Sequence, residues 1–249
     1  MVSNLFAAIL SKRTLMTEKK VNFPKCVAVS AGKSVVIVAN ELNLSIFKPV
    51  WLCQFDILKP EELSEGILIS PAAIQIPGPT FQLVILPNRL QMTFPSSDVD
   101  ATTEPLNRVL GGILRALPHT PLVGLGMNLD FFVAPAAGNT FEEWNAEHFA
   151  SKVAFGVCGG AETRPRFGSY FSMQVEGMRL KVDAKPVSGV QASPQVVKAL
   201  EAASEWMHFG FNYHHDLDQN ASTKHALELL SKWSAVVSHA RSIVSQLPA

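Results

Sequence analysis

Cysteine is scarce in this sequence, and so is any sign of metal-binding or disulfide spacing. The 249 residues include only Cys26, Cys53 and Cys158, and no CxxC pair occurs. An odd number of isolated cysteines argues against a disulfide scaffold and against a cysteine-based zinc site, and it is typical of a reducing compartment. We therefore expect a cytoplasmic protein whose thiols are ordinary core residues.

Net charge is also lacking. Lys and Arg number 21, Asp and Glu also number 21, and no run of like charge is longer than two residues. Nucleic-acid-binding proteins usually carry a basic excess, and binding to anionic lipid requires a basic surface, so we expect neither nucleic acid nor membrane as a partner. Because a net charge near zero weakens repulsion between copies, we expect self-association, as a homodimer. A sheet edge from residues 21–80 is the expected contact.

Long hydrophobic runs are absent too. No stretch reaches the roughly 18 uninterrupted apolar residues that a membrane-spanning helix needs. The short apolar run at residues 5–10 has no basic residue before it, unlike a secretory signal. Hydrophobic residues nevertheless make up 47% of the chain and charged residues 17%, which predicts a large core. We predict a flexible N-terminal tail over residues 1–20 and a single domain over residues 21–249.

Alternating patterns predict several strands. Residues 81–86 and 90–94 flank Pro87-Asn88-Arg89, which predicts a hairpin. In residues 122–133 the apolar side chains fall on one face, and small or polar ones fall on the other; residues 207–215 show the same alternation. One-sided alternation is typical of an antiparallel sheet with one solvated face.

Three segments have apolar residues at helical spacing. They predict helices over 104–117, 141–153 and 222–246, the second beginning at a capping box formed by Thr140 and Glu143. Strands do not alternate regularly with these helices, so a parallel doubly wound sheet is not expected. The predicted fold class is α+β, with a mainly antiparallel sheet and the helices packed mostly on one face.

Catalytic motifs are missing. Gly32-Lys33-Ser34 matches the end of a phosphate-binding loop, but Val27 occupies the position of the required glycine, and a strand pattern follows instead of a helix. We interpret this segment as a hairpin turn. The motifs GxSxG, HExxH and GxGxxG do not occur. We therefore expect no cofactor and favour a protein without catalytic activity, although an enzyme stays open.

One polar cluster could form a site. Alternation along residues 207–216 places two histidines and an aspartate on one strand face, and residues of the 122–133 strand join them if the two strands are neighbours. Imidazoles and carboxylates can bind a metal or act as acid and base. His208 and His214 would be about 20 Å apart on a straight strand, too far to share one ion. The alternative, which we favour, is an ordinary solvated sheet face. The candidate ligand or metal residues are His214, Asp216, His208, Asn128 and Asp130.

Three short segments carry a resemblance. They are Leu86-Pro87-Asn88-Arg89-Leu90, Leu117-Pro118-His119-Thr120-Pro121 and Gly126-Met127-Asn128-Leu129-Asp130-Phe131, with Ser70-Pro71 before them. Together they resemble a sporadically distributed group of bacterial proteins of unknown function, over about residues 45–133. The resemblance implies no active site. It favours a protein without obvious enzymatic motifs.

Three functions remain open from the sequence. The first is a non-catalytic interaction or assembly protein with a protein partner. The second is a small protein that binds an apolar ligand in a cavity between the sheet and the C-terminal helix, with aromatic side chains such as Phe171, Phe209 and Phe211 as its wall. The third is a metal-dependent or acid–base enzyme. An enclosed pocket under the last helix would favour the second, and convergent imidazoles and carboxylates in a cleft would favour the third.

Overall fold

The fold is built on one nine-stranded sheet in which every pair of neighbours is antiparallel. The computed structural model describes residues 27–63, 66–95, 100–135, 140–150, 165–188, 205–218 and 222–247. The predicted tail over residues 1–20 lies outside them. The strands are β1 Val27–Ala39, β2 Leu68–Ile69, β3 Ile74–Pro77, β4 Gln82–Leu86, β5 Arg89–Phe94, β6 Leu122–Ala134, β7 Ser169–Val175, β8 Met178–Ser188 and β9 Glu205–Asp216.

The strand order is β2-β3-β4-β5-β1-β6-β9-β8-β7. The predicted hairpin forms, and the sheet contains a second one near its other edge. The first pairs β4 with β5 across Pro87-Asn88, with Arg89 already in the strand. The second pairs β7 with β8 across Glu176-Gly177, whose φ angles of 53° and 78° are those of a type I′ turn. The mainly antiparallel sheet predicted from one-sided alternation is confirmed.

The five α-helices of the described ranges pack on one side of this sheet. Buried side chains from all of them join the same hydrophobic core as the apolar faces of the central strands. The α+β class with helices on one face is therefore confirmed. None of the helices in the described ranges is long and apolar enough to cross a membrane. The helices are α1 Pro49–Gln54, α2 Asp100–Ala116, α3 Phe141–Phe149, α4 Ser222–Leu230 and α5 Trp233–Ser245.

The helix predicted over 104–117 begins four residues earlier. Helix α2 runs through Pro105 and includes Thr102, whose hydroxyl accepts a hydrogen bond of 2.9 Å from the indole Nε1 of Trp233. This contact with α5 holds the first turn in place, and it has no signature in the local sequence. Gly112 has a packing role in this helix, because a Cβ there would lie 3.0 Å from the Ile57 side chain.

The prediction of one long helix over 222–246 is wrong in one respect, because the segment forms two helices, α4 and α5. The backbone N–H of Lys232 bonds to the carbonyl of Leu229, three residues back, which tightens the last turn of α4 and ends it. The Lys232 ammonium donates to the carbonyl of Glu176 in the β7–β8 turn, 2.7 Å away. The apolar stripe continues across the break, so periodicity alone predicted one helix.

Two other boundaries differ from expectation. Helix α3 ends at Phe149 because Ala150 has extended backbone angles, so the predicted end at 153 is too late; residues 151–153 lie outside the described ranges. The segment Gly32-Lys33-Ser34 is not a hairpin turn, because β1 passes straight through it. The register of β1 against β6 shifts between Ser30 and Gly32, where Ala31 is an extra residue without a partner in β6.

Candidate functional site

The side of the sheet opposite the helices carries polar side chains over much of the central strands, and we call it the polar face. It carries the even-numbered residues of β6 and β9, which pair in register, so that Asn128 lies opposite Asn212 and Phe132 opposite His208. The sequence left open whether these two strands are neighbours, and the structure makes them adjacent.

His208 and Asp130 form the first pair on the polar face. The Nε2 of His208 lies 2.9 Å from a carboxylate oxygen of Asp130. The ring also packs against Phe132, with the ring centroids 5.1 Å apart. Its Nδ1 is buried and makes no hydrogen bond within the part of the chain that the structure describes. Asp130 and Phe132 therefore hold the His208 ring in place, while its Nδ1 has no partner among the described residues.

His214 and Asp216 form a second, separate pair. Their side chains are joined by a 2.9 Å contact between Nε2 and a carboxylate oxygen. Both residues lie on β9, where alternation places them on the same face. This contact is more exposed than the first, since Asp216 is almost fully accessible. An exposed pair of this kind contributes little to stability.

Between the two pairs runs a ladder of amides and a hydroxyl. Asn212 donates to the side-chain oxygen of Asn128 at 2.6 Å, and Asn128 donates to the Ser34 hydroxyl at 3.3 Å. The ladder therefore crosses three adjacent strands, β9, β6 and β1. Hydrogen bonds between neighbours fix the rotamers of these side chains and leave lone pairs and N–H groups directed outward.

The five candidate residues thus fall into three groups along the strands rather than one. On the approximate rise of 3.3 Å per residue, His208 and His214 are about 20 Å apart. No group of three or more histidine, cysteine, aspartate or glutamate side chains in the described ranges could hold a metal ion. Within the described ranges the arrangement offers two separate His–Asp pairs.

Glycines keep the floor of the polar face low. A Cβ at Gly32 would lie 3.3 Å from Asp130, and one at Gly124 would lie 3.4 Å from His214. Gly126 and Gly210 lie between the polar residues in the same way, next to Asn212 and His208 respectively. The glycines therefore leave room for the polar side chains beside them to lie close to the strand backbones.

Charge on this face is mixed. Strand β8, next to β9, exposes Arg179, Lys181, Asp183 and Lys185 on the same side as the histidines. Together with Asp130 and Asp216, this gives the three strands equal numbers of basic and acidic groups on the face. The described part of the polar face therefore carries no excess of either sign of charge.

The other end of the polar face is apolar. Trp206 is fully buried there in a small second cluster whose other members lie on the neighbouring strands. Its indole Nε1 has no hydrogen-bond partner within the described ranges. The alternating segment 207–215 does not predict this cluster, because Trp206 precedes it. The cluster consists of Phe132, Ala134, Val187 and Trp206, with Val29 against it.

Other histidines lie on the helix side. His239 contacts the Tyr213 hydroxyl at 2.8 Å, and burial raises the pKa of that phenol. His215 donates from Nδ1 to the carbonyl of Gly177 at 2.8 Å and stacks edge-on against His225 at 4.5 Å. These contacts tie α4, α5 and the β7–β8 turn to β9. Lys33 also faces this side and is only 1% exposed. Its neighbours in sequence, Gly32 and Ser34, give no indication of this burial.

The cavities of the described ranges include three of about 670, 560 and 280 Å³, and the residues that line them lie outside the polar face. One of about 280 Å³ lies between α5 and strands β1 and β6, bordered by Phe131 and Arg241. A site for a drug-sized ligand usually measures about 300–1,000 Å³. The aromatic wall proposed for an apolar cavity is instead filled core, since Phe209 and Phe211 are buried and pack on Phe149 and Phe131.

A metal titration tests the His–Asp pairs directly. We expect calorimetry with zinc or manganese to show no saturable heat, and the melting temperature to stay unchanged, because two ligands are too few for a tight site. The His214→Ala/Asp216→Ala variant is the matched control. Saturable heat that this variant abolishes would restore the metal-site hypothesis.

Comparison with known proteins adds no family assignment. No protein-family model matches this chain, and a search of curated proteins finds no match. The function therefore has to be argued from the geometry of the polar face and of the sheet edges.

Proposed function

We propose that the protein is a cytoplasmic interaction and assembly protein without catalytic activity, and that its polar face binds a protein partner. The observation that carries the proposal is the spread of the polar groups. Hydrogen-bonding side chains are distributed along three strands and do not converge on one point, whereas an active site requires convergent groups.

The spread of the polar groups and the mixed charge of the polar face favour a polypeptide as the ligand. Polar side chains spread along three strands suit a broad contact better than a small molecule, which needs a concave pocket. Balanced charges in fixed positions suit a partner with a complementary pattern of both signs. Partly satisfied amides such as Asn128 and Asn212 can each accept or donate one more hydrogen bond.

The test places a photo-crosslinking residue at Lys181, on the polar face, and, as a control, at Lys224, an exposed position of α4. We expect a discrete adduct with another protein in native lysate from the Lys181 probe alone. Identical adducts from both positions would contradict the proposal, since the face would then have no preference.

The effect of a charge swap on affinity can then be measured with the purified protein and the partner that the crosslink identifies. We expect Lys181→Asp/Asp183→Lys to weaken binding by about 10-fold or more, because it reverses a local charge pattern without changing the net charge. Lys224→Glu/Glu228→Lys on α4 is the matched control and should change binding by less than about 2-fold. Equal effects of the two swaps would argue against the polar face.

A further inference from the structure

The two edges of the sheet differ in length and in protection. One edge is β2, a strand of two residues with Pro71 close behind it. The other edge is β7, a strand of seven residues that pairs with β8 along its whole length without a shift in register. On its outer side β7 has no neighbouring strand among those that the structure describes.

Strand β7 lacks the features that protect a sheet edge. Natural edge strands are short, or carry lysine, proline, inward-pointing charge or a bulge, and these features prevent pairing with other chains. The sequence of β7, Ser-Tyr-Phe-Ser-Met-Gln-Val, contains no charge and no proline. Tyr170 is 64% exposed, and Met173 is also exposed. An uncharged edge of this length is suited to accept another strand.

The type I′ turn fixes which backbone groups point outward. A two-residue turn is closed by a hydrogen-bonded pair, here Val175 and Met178, and bonded pairs alternate along an antiparallel ladder. The backbone groups of Phe171 and Met173 are therefore used by β8. Those of Tyr170, Ser172 and Gln174 point away from the sheet.

The outward pattern is complementary to itself. If a second β7 runs antiparallel about a two-fold axis at Ser172, then Tyr170 lies opposite Gln174 of the other copy, and each Ser172 lies opposite its equivalent. All outward N–H and C=O groups are then paired. On the helix side Phe171 lies opposite Met173 of the other copy, and a thioether against an aromatic ring is a favourable contact.

We propose that β7 pairs with β7 of a second copy of this chain, joining the two sheets into one continuous sheet about a two-fold axis at Ser172. The interface is isologous, because both copies contribute the same strand, as is usual for dimers. It names a partner for the assembly part of the proposed function, but it does not involve the polar face. A failed crosslink from Lys181 would therefore leave it standing, and a monomeric protein would leave the polar face standing.

The dimer is expected to be weak. Seven residues a side bury much less than the roughly 1,200–2,000 Å² of a standard stable interface. We therefore expect a reversible dimer, visible as a rise in mass across a roughly 100-fold range of concentration, and not a fixed one.

Lysines introduced at either edge of the sheet distinguish pairing through β7 from pairing through β2. In Tyr170→Lys/Gln174→Lys, each introduced ammonium faces another across the two-fold axis, which is unfavourable. Light scattering should show the mass of one copy at all concentrations, with the melting temperature unchanged. The matched control is Leu68→Lys/Ile69→Lys on β2, where Leu68 is 61% exposed, and it should associate like the wild type. A monomeric wild type, or dissociation by the β2 variant and not by the β7 variant, would overturn the proposal.

Cysteine crosslinking checks the register. In a background with the native cysteines replaced by serine, Ser172→Cys should form a disulfide-linked dimer on mild oxidation, because directly opposite residues lie about 5.5 Å apart between Cα atoms. Gln174→Cys is the control. Its two copies would be four residues apart, about 13 Å, beyond the reach of a disulfide. Crosslinking by Gln174→Cys and not by Ser172→Cys would contradict the two-fold axis.

Discussion

Replacing Trp233 with alanine is expected to lower the free energy of unfolding by about 3–5 kcal/mol, the usual cost of truncating a large buried aromatic side chain. Trp233 is 1% exposed and begins α5 at the point where this helix meets α2 and β5. Its ring packs on Phe94, with the centroids 5.9 Å apart, and its indole donates to Thr102. The substitution leaves a cavity where three elements meet. Urea unfolding followed by far-UV circular dichroism measures the loss.

A milder variant, Trp233→Phe, separates the effect of packing from that of the hydrogen bond. Trp233→Phe keeps most of the ring volume but loses the Nε1–H donor, and we expect it to cost less than the alanine variant. Val50→Ala, on an exposed residue of α1, is the control and should change stability by less than about 0.5 kcal/mol. A loss in Trp233→Ala no larger than in Val50→Ala would mean that α5 does not anchor on the sheet.

The fold class could be predicted because it depends on local patterns. Alternation over 122–133 and 207–215 marked two one-sided strands, and turn residues such as Pro87-Asn88 marked a hairpin between β4 and β5. The strand order could not be predicted, because β1 pairs with β5 and β6, strands far away in sequence. Such pairing depends on the assembled core and has no local signature.

The predicted helix boundaries are wrong where tertiary contacts outweigh local propensity. The hydrogen bond from Trp233 to Thr102 extends α2 through Pro105, although a proline in a helix removes a donor and normally favours an end. The break between α4 and α5 lies beside Lys232, which contacts a turn distant in sequence. Neither contact can be seen from the residues on either side of the boundary.

The candidate residues were placed on one face by alternation alone, and their side chains do lie on that face. The distance argument also anticipated that His208 and His214 are separate, because a strand rises about 3.3 Å per residue. The bond between His208 and Asp130 required the register of β6 against β9, which the sequence does not contain. The burial of Lys33 cannot be predicted from the sequence, since Gly32 indicates a turn where β1 in fact continues.

The second large effect is expected at Arg108, which ties α2 to the segment before β2. Its guanidinium donates two hydrogen bonds to the Glu62 carboxylate at 2.6 and 2.9 Å, and others to the Ile57 carbonyl and to Glu104. We expect Arg108→Ala to lower the free energy of unfolding by roughly 2–4 kcal/mol, because Glu62 is left buried without its cation.

Arg108→Lys distinguishes geometry from charge. An ammonium keeps the positive charge but cannot make the two parallel bonds to one carboxylate, so we expect it to restore only part of the loss. Denaturant titration of both variants at neutral pH gives the comparison. Full recovery by lysine would show that only the charge matters.

Acid should weaken the same contact through Glu62. Burial raises the pKa of its carboxyl, but the hydrogen bonds from Arg108 and from the Lys59 backbone, with the positive charge of both residues, outweigh burial and bring the pKa below its ordinary value of 4.5. A lowered pKa in the folded state means that the contribution to stability is complete above about pH 4.5 and is lost as the pH falls through the folded-state pKa. We therefore expect the stability difference between wild type and Glu62→Gln to shrink over that range. Glu61→Gln, which changes an exposed neighbour, should show no such convergence, and a difference for Glu62→Gln that stays constant into acid would contradict the assignment.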